Sequence, residues 1–217
     1  MPITGARSPS ADLPAERFGG TAGTGHGSAA EPSLLDVFAP RPAFVLAETS
    51  PVDAPAAAVY RAIGELRSAD VPSRVVRTLV RVRGLPETLR RHGHAPDLGE
   101  IVLGERGTFL GERPGHEMVL GAAGRFWTPV PEWYEVTPES FREFDHARSG
   151  TIAMAFSVEP GTGTGSRLTV ETRITVTDPS ARHAISLYWH AIRPAARFTT
   201  RALLDTIAAH AATLTDS

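Results

Sequence analysis

The chain has 217 residues and a formal net charge of −2, and it contains no cysteine, lysine, asparagine or glutamine, so all 22 basic residues are arginines. This composition excludes disulfides, thiolate nucleophiles, lysine Schiff bases, a Walker lysine and carboxamide donors to an oxyanion. The nearly balanced charge argues against general nucleic-acid binding.

Residues 1–33 show no apolar periodicity and are rich in glycine, serine, threonine, proline and alanine. This composition predicts a disordered N-terminal lead. The remaining stretch, residues 34–214, is long enough for one sizeable core and too short for two, so we expect a single domain. The N-terminus has no cationic segment followed by an apolar run, and no stretch approaches the roughly 20 apolar residues of a membrane span. We therefore expect a soluble, cytoplasmic protein without a membrane span.

Residues 44–49 predict a first strand, and the Asp-Ala-Pro sequence at 53–55 predicts the start of a helix. That helix carries Val59, Ile63 and Leu66 on one side. Valine and leucine then repeat at helical spacing over 75–82, which predicts a second helix.

From Gly99 onward, short alternating runs separated by glycine and proline predict a meander of antiparallel strands. These runs cover 100–104, 108–113, 116–122, 140–148 and 151–158. The glycine-rich run at 161–166 lies between two predicted strands and lacks the lysine and the helix of a phosphate loop, so it predicts a hairpin turn.

The last predicted strand, residues 167–177, alternates apolar and polar side chains as a half-buried antiparallel strand does. Asp178 and Pro179 then predict the start of a long helix that ends near Leu214. Apolar residues recur along it at three- and four-residue spacing, so one stripe should face the sheet. Pro194 lies in the middle and predicts a bent helix or two helices in line.

This order of elements predicts an α+β fold. It resembles the helix-grip fold of the START-like (SRPBCC) superfamily, which includes the birch-pollen allergen, lipid-transfer START domains and bacterial aromatic polyketide cyclases. The segments RGLP at 83–86, GRFW at 124–127, LTVETR at 168–173 and YW at 188–189 are similar to an actinobacterial group of that superfamily. The resemblance covers about residues 34–212. It implies a curved antiparallel sheet wrapped around the long C-terminal helix, two short helices after the first strand, and an internal cavity for a small hydrophobic ligand, aromatic or polyketide-like.

A proline-rich stretch at 125–134 holds two of the three tryptophans at irregular spacing. Either these rings pack as ordinary core, or they form a lid over an apolar ligand. We expect the cavity to be lined by Met118, Leu120, Met154, Phe156, Val158, Leu168, Val170, Trp189 and Ile192, with Phe126, Trp127, Trp133 and Tyr134 at its mouth.

Arg125 supplies a fixed cation that suits a carboxylate, phenolate or enolate. Together with Glu117 or Tyr188 it could assist enolisation or proton transfer in a cofactor-independent cyclase or aromatase. Glu171 and Arg173 lie opposite the apolar face of the last strand. They are either a solvent-side pair or a charged patch that points inward beside Arg125 and Glu117.

Two other functions remain open, a non-catalytic carrier of lipid or metabolite and a protein-interaction module. For the second, arginines at 74, 77 and 81 and at 193, 197 and 201 form either a solvated face or a docking surface for an acidic partner, such as an acyl carrier protein. The residues His92, His94 and Asp97 lack the spacing of a zinc site and are interpreted as loop residues. We expect no metal and no cofactor.

Overall fold

The computed structural model describes residues 32–67, 107–128 and 130–215. Six strands in these residues form one antiparallel sheet: β1 (Phe44–Val52), β2 (Thr108–Arg113), β3 (Glu117–Arg125), β4 (Glu132–Tyr134), β5 (Gly150–Pro160) and β6 (Ser166–Val176). The strand order is β1-β6-β5-β3-β2, and the short β4 also pairs with β3. β2 pairs with residues 117–121 of β3 and β4 pairs with residues 123–125, so the two short strands share one edge.

Four helices accompany the sheet in the described residues: α1 (Leu34–Phe38), α2 (Ala56–Arg67), α3 (Pro138–Arg142) and α4 (Pro179–Thr215). The long α4 packs against the sheet together with α2. The predicted α+β class, with a long C-terminal helix on an antiparallel sheet, is confirmed, and the arrangement is consistent with a helix-grip fold.

The largest cluster of buried side chains, here the central cluster, lies between the sheet and the helices α2 and α4. From α2 it contains Val59, Ala62, Ile63 and Leu66, whose spacing places them on one helical face. The second half of α4 adds Leu203, Leu204, Ile207 and Ala211. The sheet contributes its inner face, defined here as the face toward α2 and α4: Met118, Leu120, Met154, Phe156, Val158, Leu168 and Val170.

The opposite, outer face of the sheet is covered at its centre by α1 and α3. A second buried cluster joins Leu35, Ala39 and Phe141 to Leu110, Val119, Ala153 and Ala155. Consequently β3 is buried on both faces from Glu117 to Gly124. The sequence did not predict this cover, because α1 and α3 have only five residues each and show no helical period.

Arg173 connects the outer face of β6 to α1. Its Nη1 donates to Asp36 at 2.7 Å, and its Nε donates to Glu171 at 2.7 Å. The hydrogen bond from Arg173 holds the pKa of Asp36 below its usual value. The predicted alternative of an inward patch with Arg125 and Glu117 is therefore wrong, since Arg173 pairs on the outer face.

The helix α4 runs without interruption through Pro194. Its 37 residues correspond to about 55 Å at 1.5 Å per residue. The alternative of two separate helices is therefore wrong. Asp178 caps the start as predicted, accepting from the backbone N–H groups of Ser180 at 2.9 Å and Ala181 at 3.1 Å.

Residues 140–148 do not form the predicted strand. Thr137 caps α3, because its side chain accepts from the Ser140 N–H while its own N–H donates to Ser140 Oγ at 2.8 Å. Pro138 occupies the first turn, where its missing N–H costs nothing. This capping box is a helix-start signal that outweighs the alternation that follows it.

Some predictions lie outside the described residues: residues 1–31 of the lead, the helix over 75–82, the loop histidines His92 and His94 with Asp97, the strand over 100–104, and the arginines at 74, 77 and 81. Within the described ranges, no helix combines the length and apolar character that a bilayer crossing requires. The same ranges contain no group of histidine and acidic residues arranged to hold a metal ion.

Truncating the ring at the centre of the core should destabilise the fold strongly. Phe156 is 0% exposed in the central cluster, so we expect Phe156→Ala to lower the free energy of unfolding by about 3–5 kcal/mol. Phe198 is 63% exposed on α4, so Phe198→Ala serves as the matched control and should change it by no more than about 0.5 kcal/mol. Urea denaturation measures both, and equal losses in the two variants would contradict this core.

An ion cluster attaches the middle of α4 to β1 and should make stability depend on pH. Both oxygens of Glu48 accept from arginines, one from Arg201 Nε at 2.9 Å and the other from Arg197 Nε at 2.6 Å. These bonds, with Arg201 first, hold the pKa of Glu48 below its ordinary value of about 4.3. The stabilisation is present above that value and is lost as the pH falls through the lowered pKa.

We therefore expect Glu48→Gln to cost up to about 1 kcal/mol at pH 7, because both arginines are partly exposed, and to approach wild-type stability below about pH 4. Glu159→Gln is the control, because Glu159 is exposed and makes no ion pair with any other described residue. Denaturation curves between about pH 3 and pH 7 measure the difference. A Glu48→Gln deficit that persists unchanged at the acidic end would contradict the role of the carboxylate.

Candidate functional site

A cluster rich in aromatic rings, here the aromatic cluster, joins the first half of α4 to β1, β6, β4 and the residues that follow β3. Phe126 is buried at its centre, stacked on Trp133 at 5.9 Å between centroids and edge-on to Trp127 at 5.1 Å. Tyr188 of α4 approaches the same ring at 6.4 Å, and Trp189 packs on Phe44 at 5.9 Å. All three tryptophans of the chain belong to this cluster.

The close pairing of β3 with β4 positions two of these rings. Gly124 lies opposite Trp133, and a Cβ at Gly124 would collide with the carbonyl oxygen of Glu132 and approach the Trp133 ring at 3.0 Å. Only glycine lets the two backbones come this close. This contact places Trp133 over Phe126, which follows β3 directly in the chain.

Beside the aromatic cluster lies a cleft with a volume of about 140 Å³. It is bounded by the end of β3, the turn before β5 and the first turns of α4. Its lining residues are Arg125, Trp127, Arg148, Ser180, Ala181 and Ala184. The cleft therefore combines one indole ring, small side chains of a helix and two guanidinium groups.

The two arginines are held in place by the turn between α3 and β5. Arg125 Nε donates to the carbonyl oxygen of Arg148 at 3.1 Å, and Arg125 Nη1 lies 3.5 Å from Glu132. The N–H of Arg148 donates to the carboxylate of Asp178. The pKa of Asp178 is lowered, first by the Ser180 hydroxyl and then by the Arg148 N–H. Asp178 thus ties this turn to the start of α4.

The residues predicted to line a central cavity lie in two separate places. Met118, Leu120, Met154, Phe156, Val158, Leu168 and Val170 pack in the central cluster, in contact with α2 and the second half of α4. Trp189 and Ile192 belong instead to the aromatic cluster. The described cleft opens near the second group, at the predicted mouth.

The residues predicted at the mouth of the cavity also lie in two different places. Phe126, Trp127 and Trp133 belong to the aromatic cluster, and Trp127 also lines the cleft. Tyr134 stacks elsewhere, on His146 at 4.6 Å between centroids, and His146 stacks on Phe144 at 5.0 Å. Two of the stacked residues, Phe144 and His146, belong to the loop that leads to Arg148.

The three proposed catalytic residues do not come together. Arg125 lines the cleft, and Tyr188 lies in the adjoining aromatic cluster. Glu117 lies at the other end of β3, about 26 Å away at roughly 3.3 Å per residue. Its carboxylate accepts from the N–H groups of Leu34 at 2.8 Å and Leu35 at 3.3 Å, so it caps α1. The sequence alone does not reveal this role of Glu117, because it does not predict the short helix α1.

Arg148 is the charged residue of the cleft that the sequence analysis did not select. It lies in a segment predicted as strand, and its left-handed backbone, with φ of 53°, becomes visible only in the folded turn. The three arginines of α4 that were predicted to form a solvated face or a docking surface are all exposed. Two of them, Arg197 and Arg201, also pair with Glu48 of β1.

No protein-family model matches this sequence, and no significant match was found among curated proteins. Among solved structures, the protein TTHA0849 from Thermus thermophilus is similar at a TM-score of 0.35 and 11% identity, covering 79% of this chain and 99% of that protein. The di-domain ARO/CYC BexL from the BE-7585A biosynthetic pathway is similar at a TM-score of 0.30 and 14% identity. That match covers 76% of this chain, which spans 46% of the di-domain protein. At these scores neither match carries an argument about activity.

Closing the space at Gly124 should disturb the aromatic cluster without unfolding the core. We expect Gly124→Ala to push β4 away from β3, expose Trp133 and shift the tryptophan emission maximum to longer wavelength. The matched control is Gly64→Ala in α2, where a Cβ meets nothing within 4 Å. There alanine should add up to about 1 kcal/mol of stability through helix propensity and leave the emission unchanged. An unshifted emission maximum in Gly124→Ala would contradict the described β3–β4 contact.

Proposed function

We propose that this protein binds a small aromatic molecule, of the kind formed from polyketide chains, in the cleft between Trp127 and the first turns of α4. The observation that carries the proposal is the cleft itself, whose indole wall continues into the other rings of the aromatic cluster. Ligand sites combine an apolar wall with a few placed polar groups, and here Arg125 and Arg148 are the polar groups.

The size of the cleft limits the ligand. Its volume of about 140 Å³ is close to the ~150 Å³ apolar cavity that admits benzene. A single ring fits inside, beside Trp127 and Ala184. A second or third ring of a polycyclic ligand would extend out of the cleft.

The finer hypothesis is an aromatase- or cyclase-like reaction. The guanidinium of Arg125 could stabilise the negative oxygen of an enolate. The hydroxyl of Tyr188, whose ring lies against Phe126, would exchange a proton with the substrate. Because Glu117 caps α1 at the far end of β3, it takes no part in this version of the mechanism.

A non-catalytic carrier is the second candidate, and the position of Glu117 favours it. Without Glu117, Tyr188 is the remaining member of the predicted catalytic set that could act as a general acid or base. Turnover of a poly-β-ketone thioester separates the two candidates. If Tyr188→Phe binds the ligand normally but loses about a hundredfold in turnover, the enzyme hypothesis is supported. A wild-type protein that binds the ligand without turnover would leave the carrier, and a Tyr188→Phe variant that turns over as fast as the wild type would reject the role of Tyr188.

Filling the cleft should block ligand binding. We expect the wild-type protein to bind 2-naphthol, a neutral aromatic probe, and Ala184→Phe to weaken this binding at least about tenfold, because the new ring occupies the space of the ligand. Ala191→Phe is the control, since Ala191 is exposed about two turns further along α4 and does not line the cleft. Isothermal titration calorimetry measures both affinities. Equal binding by the two variants, or no binding by the wild type, would reject the proposed site.

A further inference from the structure

We propose that the cleft selects ligands with an anionic group, a carboxylate or phosphate, and that the Arg148 side chain binds this group. The inference rests on the proposed function, because the same ligand places its ring against Trp127. The inference specifies the chemical class of the ligand and assigns Arg148 a role in ligand specificity.

The first observation is that the backbone of Arg148 is in a conformation that arginine rarely adopts. Its φ of 53° lies in the left-handed region, and it is the single non-glycine residue with positive φ in the described part of the chain. For a residue with a Cβ this conformation is strained, whereas glycine adopts it readily. Backbone strain of this kind concentrates at sites where a side chain must be aimed.

The second observation is that this conformation is fixed from both sides. The Arg148 N–H donates to Asp178, and the Arg148 carbonyl oxygen accepts from Arg125 Nε at 3.1 Å. Thr177 Oγ1 supports the same turn by donating to the carbonyl oxygen of His146 at 2.7 Å. Both the N–H and the carbonyl oxygen of Arg148 are therefore hydrogen-bonded, while its side chain lines the cleft.

The third observation concerns charge. The guanidinium of Arg148 forms no ion pair with any described residue, although two carboxylates lie nearby. Asp178 directs its oxygens to N–H and O–H donors at the start of α4 and in the turn. Glu132 is more than half exposed and lies 3.5 Å from Arg125, so it offsets only part of that charge.

The start of α4 cannot itself hold the anion. Pro179 has no N–H, and the N–H groups of Ser180 and Ala181 already donate to Asp178. The donors that line the cleft and remain for an anion are therefore the indole N–H of Trp127 and the guanidinium groups. Only the guanidinium groups carry charge, and they suit the planar oxygens of a carboxylate or the oxygens of a phosphate. The Ser180 hydroxyl is committed to Asp178 as well.

A matched pair of probes tests the inference. We use 2-naphthoate and 2-naphthamide, which share the ring and differ in charge. By calorimetry at low salt, the wild-type protein should bind 2-naphthoate about tenfold more tightly than 2-naphthamide, as expected for a charge-assisted pair at a partly exposed site. In Arg148→Met the ratio of the two affinities should fall toward one, because the charged group proposed to distinguish the carboxylate from the amide is removed. Arg167→Met, which removes an exposed arginine at the start of β6, should keep the preference. 2-Naphthyl phosphate, added as a third ligand, should follow the pattern of the carboxylate.

A second variant separates recognition from folding. In Arg148→Gly the left-handed turn suits the new residue, so the melting temperature should be no lower than that of the wild type while the anionic preference is lost. Equal binding of both probes by the wild-type protein, or a preference that survives in both Arg148 variants, would overturn the role of Arg148 and leave the proposed aromatic site intact. If neither probe binds, the proposed function fails together with this inference.

Discussion

The length of α4 is the constraint on which the rest of the structure depends. At about 55 Å the helix exceeds the roughly 37 Å of the longest strands, which have 11 residues. A helix that is longer than its sheet cannot bury its whole apolar stripe in one compact core. Its two halves pack in different clusters, the second half with α2 in the central cluster and the first half with the rings that follow β3 and with residues of β1 and β6.

Under the proposed function, this division separates the packed core from the ligand site. The central cluster is made mainly of aliphatic side chains and Phe156, packed between the sheet and two helices. The aromatic cluster lies at the other half of α4, where the small side chains Ala181 and Ala184 leave room beside Trp127. Asp178 closes this end by binding both the helix start and the turn of Arg148. In the described residues, this cleft thus lies beside the first turns of the helix and not among the side chains of the central cluster.

The sequence was informative wherever a period or a cap spans enough residues. The alternation of β6, the stripe of α2 and the Asp178-Pro179 start of α4 each place an element correctly. The site was harder to predict from the sequence, because its residues come together through contacts between distant parts of the chain. Glu117 reads as a candidate acid in a strand, yet it caps a five-residue helix that periodicity cannot reveal. Arg148 gains its position only from a turn fixed by Asp178, 30 residues later in the chain.

The central claim is that a ligand binds at the aromatic end of α4 and not within the packed central cluster. A crystal structure of the protein with bound 2-naphthoate tests this most directly. We expect density for the ring between Trp127 and Ala184, with the carboxylate within hydrogen-bonding distance of the Arg148 guanidinium. Density for the ring among Phe156, Leu168 and Ile207, with the cleft empty, would contradict the account.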